Sequence, residues 1–278
     1  MTVGEKLWSN AEEMARVNTL LLSNFLDALP QADIKPKRIM LQTGAKNYGL
    51  HLGSTALPQE ESDPGITLEP NFYYPQEDFL WSYCKKHGID WNVCMPSFIL
   101  GAVPDAAMNV CFPLAVYAAV TKHLGEKLAY PGDLRSWESP QVQSSSIMNA
   151  YLEEWAVLTP AAANQKFNAF DDSAFTWGKF WPKYAKLYGL EYTRPDPEKD
   201  EYKEIPSKYE TPPRGFGKNN PIRYKFTLVE WAHRKDVKEA WRQLAKEHDL
   251  LDKEFRDIER IFSFTDAALS WSQSIYFR

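Results

Sequence analysis

Two short segments hold the residues best suited to chemistry. The first, Thr43-Gly44-Ala45-Lys46-Asn47-Tyr48-Gly49, closes the apolar run Ile39-Met40-Leu41, which reads as a buried strand. The second, Asn71-Phe72-Tyr73-Tyr74-Pro75-Gln76-Glu77-Asp78, opens a run of Phe79, Leu80, Tyr83 and Cys84 with helical spacing, Pro75 lying in the first turn. A lysine at a strand end and a tyrosine at a helix start, brought together, make a proton-donating pair. The ammonium favours the phenolate, so a phenol that ordinarily titrates near ~10 becomes a usable acid at neutral pH. Taken singly, Lys46 reads as a loop lysine and Tyr73, beside Tyr74, as a packing aromatic.

The elements that must position these groups follow from pattern. Asn10 with Glu13, and Ser9 with Glu12, have capping-box spacing, and Met14, Val17, Leu21, Phe25 and Leu29 then recur at helical intervals up to Pro30. Strand 38–42 leads to the lysine segment, and residues 50–70, with Pro58, Pro64 and Pro70, read as a loop. After the tyrosine helix come a strand over 91–95 ended by Pro96, a helix over 107–123, a short strand over 127–130, and helices over 145–158 and 176–188 flanking the strand-like 167–170. This alternation predicts an α/β fold with a parallel sheet and crossover helices over residues 1–192. Residues 193–226 are rich in proline and charge and read as a linker or long loop. Residues 227–278 are helical in pattern over 227–234, 236–248 and 251–276, with Trp231, Trp241, Leu244, Leu251, Phe255, Ile258 and Phe262 on their apolar faces.

In order and spacing the chain resembles the PRISE-like family of atypical short-chain dehydrogenases, which includes progesterone 5β-reductase and iridoid synthase. The resemblance runs from about Asn10 to Phe262. It rests on the two segments above, on Pro96-Ser-Phe-Ile99-Leu-Gly101, on Met108-Asn109, on Val116-Tyr117-Ala118-Ala119-Val120, on Pro131-Gly132, and on Phe167-Asn168 followed by Trp177 and Phe180-Trp181. It implies an incomplete Rossmann-like parallel sheet, the C-terminal half of one, with a helical C-terminal region on the substrate side. It also implies Tyr73 and Lys46 as the catalytic pair, acting in NAD(P)H-dependent reduction of an activated C=C or a carbonyl in a small hydrophobic molecule. Position 77, one helical turn after Tyr73, is Glu where ordinary members of the superfamily carry the lysine, so the ammonium comes from Lys46 instead. Thr43, Tyr48, Met108 and Asn109 are implied at the substrate, and Pro96 and Ile99 beside the nicotinamide. By residue type alone Thr43 reads somewhat more readily as a hydroxyl satisfying a local backbone group, and Phe112, Trp137, Trp177 and Trp181 read as core.

No G-x-G-x-x-G turn precedes the lysine strand; Gly44, Gly49 and Gly53 have the wrong spacing and sit at the lysine itself. The resemblance therefore implies NADPH or NADH as cofactor if the pyrophosphate-binding segment is supplied, and none otherwise. An incomplete sequence, a fragment completed by a partner or second copy covering the open sheet edge, and a non-redox cyclase, isomerase or binding module are all compatible with this reading.

Composition excludes other classes. A chain of 278 residues with 44% hydrophobic and 14% aromatic content can bury a sizeable core. The formal charge of −5 argues against a nucleic-acid surface. Residues 1–10 form no signal peptide, and the longest apolar stretch, 110–120, is too short to span a bilayer, so a cytoplasmic, membrane-free protein is expected. Cys84, Cys94 and Cys111 read as reduced core thiols, and no histidine has a metal-spaced partner.

Overall fold

The computed structural model describes residues 10–103, 107–212 and 217–278. Helix α1 (Ala11–Gln31) starts where the capping pattern predicts: Asn10 accepts from the amide of Glu13, with Glu12 and Glu13 in the first turn. Ser9 lies outside the described residues. Pro30 sits in the last turn of α1 and does not end it. Strand β1 (Arg38–Gln42) follows, then two 3-10 turns over 45–48 and 50–52, helix α2 (Tyr73–His87) closed by Gly88 at φ 64°, and strand β2 (Asp90–Pro96).

Short strand β3 (Phe98–Leu100), helix α3 (Cys111–His123), strand β4 (Leu128–Ala129), helix α4 (Leu134–Glu138) and strand β5 (Gln143–Ser145) come next. Then come helix α5 (Ser146–Leu158), strand β6 (Gln165–Ala169), helix α6 (Trp177–Tyr188), strands β7 (Tyr192–Thr193), β8 (Lys203–Ile205) and β9 (Ile222–Tyr224), and helices α7 (Leu228–Ala232), α8 (Lys235–Glu247) and α9 (Ile258–Ser270).

The central sheet has three parallel strands in the order β1-β2-β6, with Leu41 opposite Val93 and Val93 opposite Lys166. Its two faces are covered differently. Leu41, Val93 and Met95 point into a core shared with Leu26 of α1 and Leu80 and Tyr83 of α2. The alternate residue Cys94 points to the other face, where it meets Glu153 of α5. At the foot of that face Arg38 donates to the carbonyls of Ala156 and Thr159. Among the described residues no strand pairs with the outer edge of β1.

A second core gathers α3, α4, α6, α7, α8 and α9 around Trp181, which is fully buried and donates to the carbonyl of Leu128. Trp137 and Trp177 are buried in it, as expected. Three expectations fail. Residues 251–257 are not helical, and Leu251 is 96% exposed because α9 begins only at Ile258. Helix α3 begins at Cys111 instead of 107, which leaves Phe112 on the surface. Cys111 is exposed, unlike the buried Cys84 and Cys94. Within 193–226, β8 and β9 pair antiparallel, with Ile205 opposite Ile222.

Candidate active site

The two chemical segments meet at the C-terminal ends of β1 and β2, held by a polar network. Asn71 donates to the Lys46 carbonyl at 3.0 Å and accepts from the Tyr73 amide at 3.2 Å. Tyr74 donates to the Asn47 carbonyl at 2.7 Å and accepts from the amide of Ile66 at 2.8 Å. Asn47 donates to Glu77 Oε1 at 2.7 Å, while Lys166, reaching across from β6, donates to Glu77 Oε2 at 2.9 Å. Both carboxylate oxygens are thus engaged, which is what lets a charge stay buried in the core. Gly49, at φ 73°, makes the left-handed turn that closes the lysine segment.

Against this saturated frame the chemical groups stand out. Among the described residues neither the Tyr73 hydroxyl nor the Lys46 ammonium has a hydrogen-bond partner. The Lys46 Nζ lies 5.6 Å from the centre of the Phe72 ring, and that ring meets Tyr73 edge-on with centroids 4.5 Å apart. Burial holds the Lys46 ammonium below its ordinary range, an effect opposed by the Glu69 carboxylate. Burial also pushes the Tyr73 phenol up to about 12. The shift is opposite to the lowering expected from the lysine, and burial of the phenol is its cause. Gly44 is extended, and its role is space: a side-chain carbon there would lie 3.2 Å from the Tyr73 hydroxyl and 3.4 Å from the Pro96 carbonyl.

The other expected positions divide. Thr43 is buried, and both its amide and its hydroxyl donate to the Cys94 carbonyl, a structural role. Tyr48 is buried, donating to Asn168 at 2.6 Å and packing on Phe277. Asn109 is buried, donates to the Gly101 carbonyl at 3.0 Å and accepts from the Phe112 amide, holding the entry to α3. Met108 is 58% exposed. Pro96 ends β2 beside Gly44, and Ile99 lies in β3 opposite Ser144. Sequence reasoning missed Asn47, Asn71 and Lys166 as the framework. Lys166 lies in a strand of mixed character, Gln-Lys-Phe-Asn-Ala, which gives no sequence signal of its own.

Parallel strands joined by crossover helices, with Lys46 following β1 and Tyr73 opening α2 at the C-terminal side of the sheet, make a Rossmann-like α/β arrangement. Residues 8–209 match the model of the PRISE-like Rossmann-fold domain, and the chain belongs to that family, an oxidoreductase-like one. It is 31% identical over 275 residues to a 3-oxo-Δ(4,5)-steroid 5β-reductase of Arabidopsis thaliana, covering 94% of this chain and 62% of that one. It is 30% identical over 281 residues to an (S)-8-oxocitronellyl enol synthase of Antirrhinum majus, covering 98% and 62%. An uncharacterized protein of Schizosaccharomyces pombe is 31% identical over 264 residues, covering 87% and 64%. The chain thus spans less than two thirds of the length of these relatives. Among solved structures, RMD from Pseudomonas aeruginosa complexed with NADPH superposes with a TM-score of 0.53 at 16% identity, covering 69% of this chain and 66% of that one. A UDP-glucose 4-epimerase from Thermotoga maritima gives 0.50 at 15%, covering 68% and 60%. These likenesses concern the fold.

Proposed function

We propose that this chain carries the tyrosine–lysine centre of an NAD(P)H-dependent reductase acting on the activated C=C or the carbonyl of a small hydrophobic molecule. The observation that supports it is the contrast within the site: every polar group of the frame is paired, while the Tyr73 hydroxyl and Lys46 ammonium are left for a ligand. A phenol raised to about 12 stays protonated throughout the physiological range and serves as a neutral hydrogen-bond donor. Directed at the oxygen of an enone or enal, it stabilises the charge that develops there as the β-carbon is reduced. One such donor in a water-poor site is worth ~3–4 kcal/mol of barrier. Lys46, partly desolvated, adds a positive field on the same side, so it supports the developing oxyanion more than it ionises the phenol.

The residues present suit the nicotinamide end of NADPH or NADH. Gly44 leaves a cradle between the phenol and the Pro96 carbonyl that any side chain would fill, and the 97–100 segment lies alongside. Bound there, the cofactor supplies the hydride. A second reading, a non-redox cyclase or isomerase, draws on the same phenol, since a desolvated donor polarises an enone unaided. Incubating the chain with an enone and NADPH and weighing the product separates the two: reduction adds two hydrogens, isomerisation or ring closure adds none. Tyr73→Phe should lower either turnover by ~10²–10³-fold with the fold intact. Full activity in that variant would remove Tyr73 from the chemistry.

A further inference from the structure

Helix α5 carries an apolar stripe that matches its own reverse. Ile147, Met148, Tyr151, Trp155 and Leu158 are each at least half exposed and lie on one side of the helix. The helix has no basic residue; of its two carboxylates, Glu153 turns inward to Cys94 and Glu154 borders the stripe. Trp155 is held edge-on by Phe167, with centroids 5.5 Å apart, so the stripe is steadied before anything meets it. Set antiparallel about a centre at position 153, two copies of α5 place Tyr151 against Trp155 of the second copy and Met148 against its Leu158.

The sheet edge offers a second self-complementary feature. Helix α5 packs on β1 and β2. The Thr43 amide donates to the Cys94 carbonyl and the Asp90 amide to the Lys37 carbonyl, so alternation turns the amides of Met40 and Gln42 to the open edge of β1. Among the described residues neither amide has a partner. Pairing β1 antiparallel with its own copy satisfies them about a two-fold axis normal to the sheet. That axis keeps α5 beside α5 on one face and α1, with exposed Leu21 and Phe25, beside α1 on the other. The area agrees: these seven side chains, each exposing roughly 70 Å², offer ~500 Å² of apolar surface per copy. That is the apolar share, about 65%, of the ~800 Å² each partner buries in a standard interface.

We propose that two copies of this chain associate through the β1 edge and the α5 stripe, forming a two-fold dimer with one continuous sheet of three strands from each copy. A second copy is the occupant because one symmetry operation matches the stripe to itself and pairs the edge, a coincidence that an unrelated partner does not require.

The test is sedimentation velocity on the 278-residue chain at micromolar concentration. The unmodified chain should sediment at twice its mass of 32.0 kDa. Tyr151→Glu sets two carboxylates close to the axis and should raise the dimer dissociation constant at least ~100-fold. Leu251→Ser, which removes an exposed apolar residue outside the stripe, should change it less than ~2-fold. In a Cys111→Ser background, Glu154→Cys lies beside the axis and should give a disulfide-linked dimer under mild oxidation. Ile147→Cys, ~18 Å from its own copy in this arrangement, should not. Circular dichroism on each variant separates a lost interface from a lost fold. A monomer at every concentration, or a dimer that survives in folded Tyr151→Glu, overturns the proposal. Cross-linking of Ile147→Cys as readily as Glu154→Cys overturns the two-fold geometry, and a chain that stays monomeric until it binds a different polypeptide gives this face to that partner instead.

Discussion

Trp181 and Trp155 occupy the two halves of the molecule and meet opposite surroundings. Trp181 is wholly enclosed, its ring edge-on to Tyr130 at 5.0 Å and to Tyr184 at 5.4 Å, within a core to which six helices contribute. Trp155 lies on α5, half exposed, in a stripe with Ile147, Tyr151 and Leu158 that are 66%, 62% and 72% exposed. On the opposite face of the sheet α1 shows Leu21 and Phe25, 70% and 62% exposed. The helical half closes its own core. The sheet half buries one side of each flanking helix and presents apolar surface on the other, next to the unpaired edge of β1. Exposed apolar stripes of this extent mark surfaces that associate. The enclosed core and the exposed apolar surface thus belong to different parts of the chain, while the proposed chemical groups sit where the sheet meets the loops.

The largest effect should come from the closed half. Trp181→Ala removes a fully buried ring and a buried hydrogen bond and should cost ~3–5 kcal/mol, read as a fall in the urea midpoint. A change below ~1 kcal/mol would mean that the aromatic cluster does not carry the stability assigned to it. In the sheet half the comparable variant is Lys166→Met, which strands the Glu77 carboxylate, whose side chain is only 4% exposed. Its cost should approach ~3–5 kcal/mol and be largely recovered in the Lys166→Met/Glu77→Leu double variant, since removing both charges leaves nothing uncompensated. No recovery would place the cost in packing instead.

The pH response of Tyr73 is next in size. Its folded pKa, about 12, is above the ordinary value near ~10, so the folded state holds the proton more tightly. The stabilisation is fully present below pH ~10 and is lost as pH rises from there toward 12. The difference in phenolate absorbance between the unmodified chain and Tyr73→Phe should show the late titration, and Lys46→Met should leave its midpoint in place. An upward move in Lys46→Met would show that the ammonium does lower the phenol. The smallest effect on stability belongs to the open half: Trp155→Ser with Leu158→Ser should change ΔG of unfolding by no more than ~1 kcal/mol. The same pair should reduce self-association in light scattering. A large stability loss would show the stripe to be core after all.

The sequence was most readable where structure is local. Strand β1 and helix α2 announce themselves through an apolar run, a proline in the first turn and a terminal glycine, so Lys46 and Tyr73 could be placed at element ends before any contact was known. The β8–β9 hairpin was not legible, because Lys203, Glu204 and Arg223 carry no apolar alternation and the pairing joins residues some twenty positions apart. The framework of the site was hidden for a related reason. Asn47, Glu77 and Lys166 lie on a turn, a helix and a strand, and only their meeting in the folded state gives them a role. The direction of the Tyr73 shift likewise depends on how much water the fold removes, which residue types alone do not encode.

The pairing of Glu77 with Asn47 and Lys166 has a geometric consequence. Tyr73 and Glu77 are one turn apart and share a side of α2, so anchoring one fixes the azimuth of the other. Slipping the helix by a single residue would swing the phenol by about 100° and carry it out of the notch beside Gly44. Lys166, a strand residue that grips Glu77, therefore works as an indexing pin: it sets the angular tolerance within which the hydroxyl is held, and a tolerance set by a buried ion pair in the sheet is one that surface loops can vary around without disturbing.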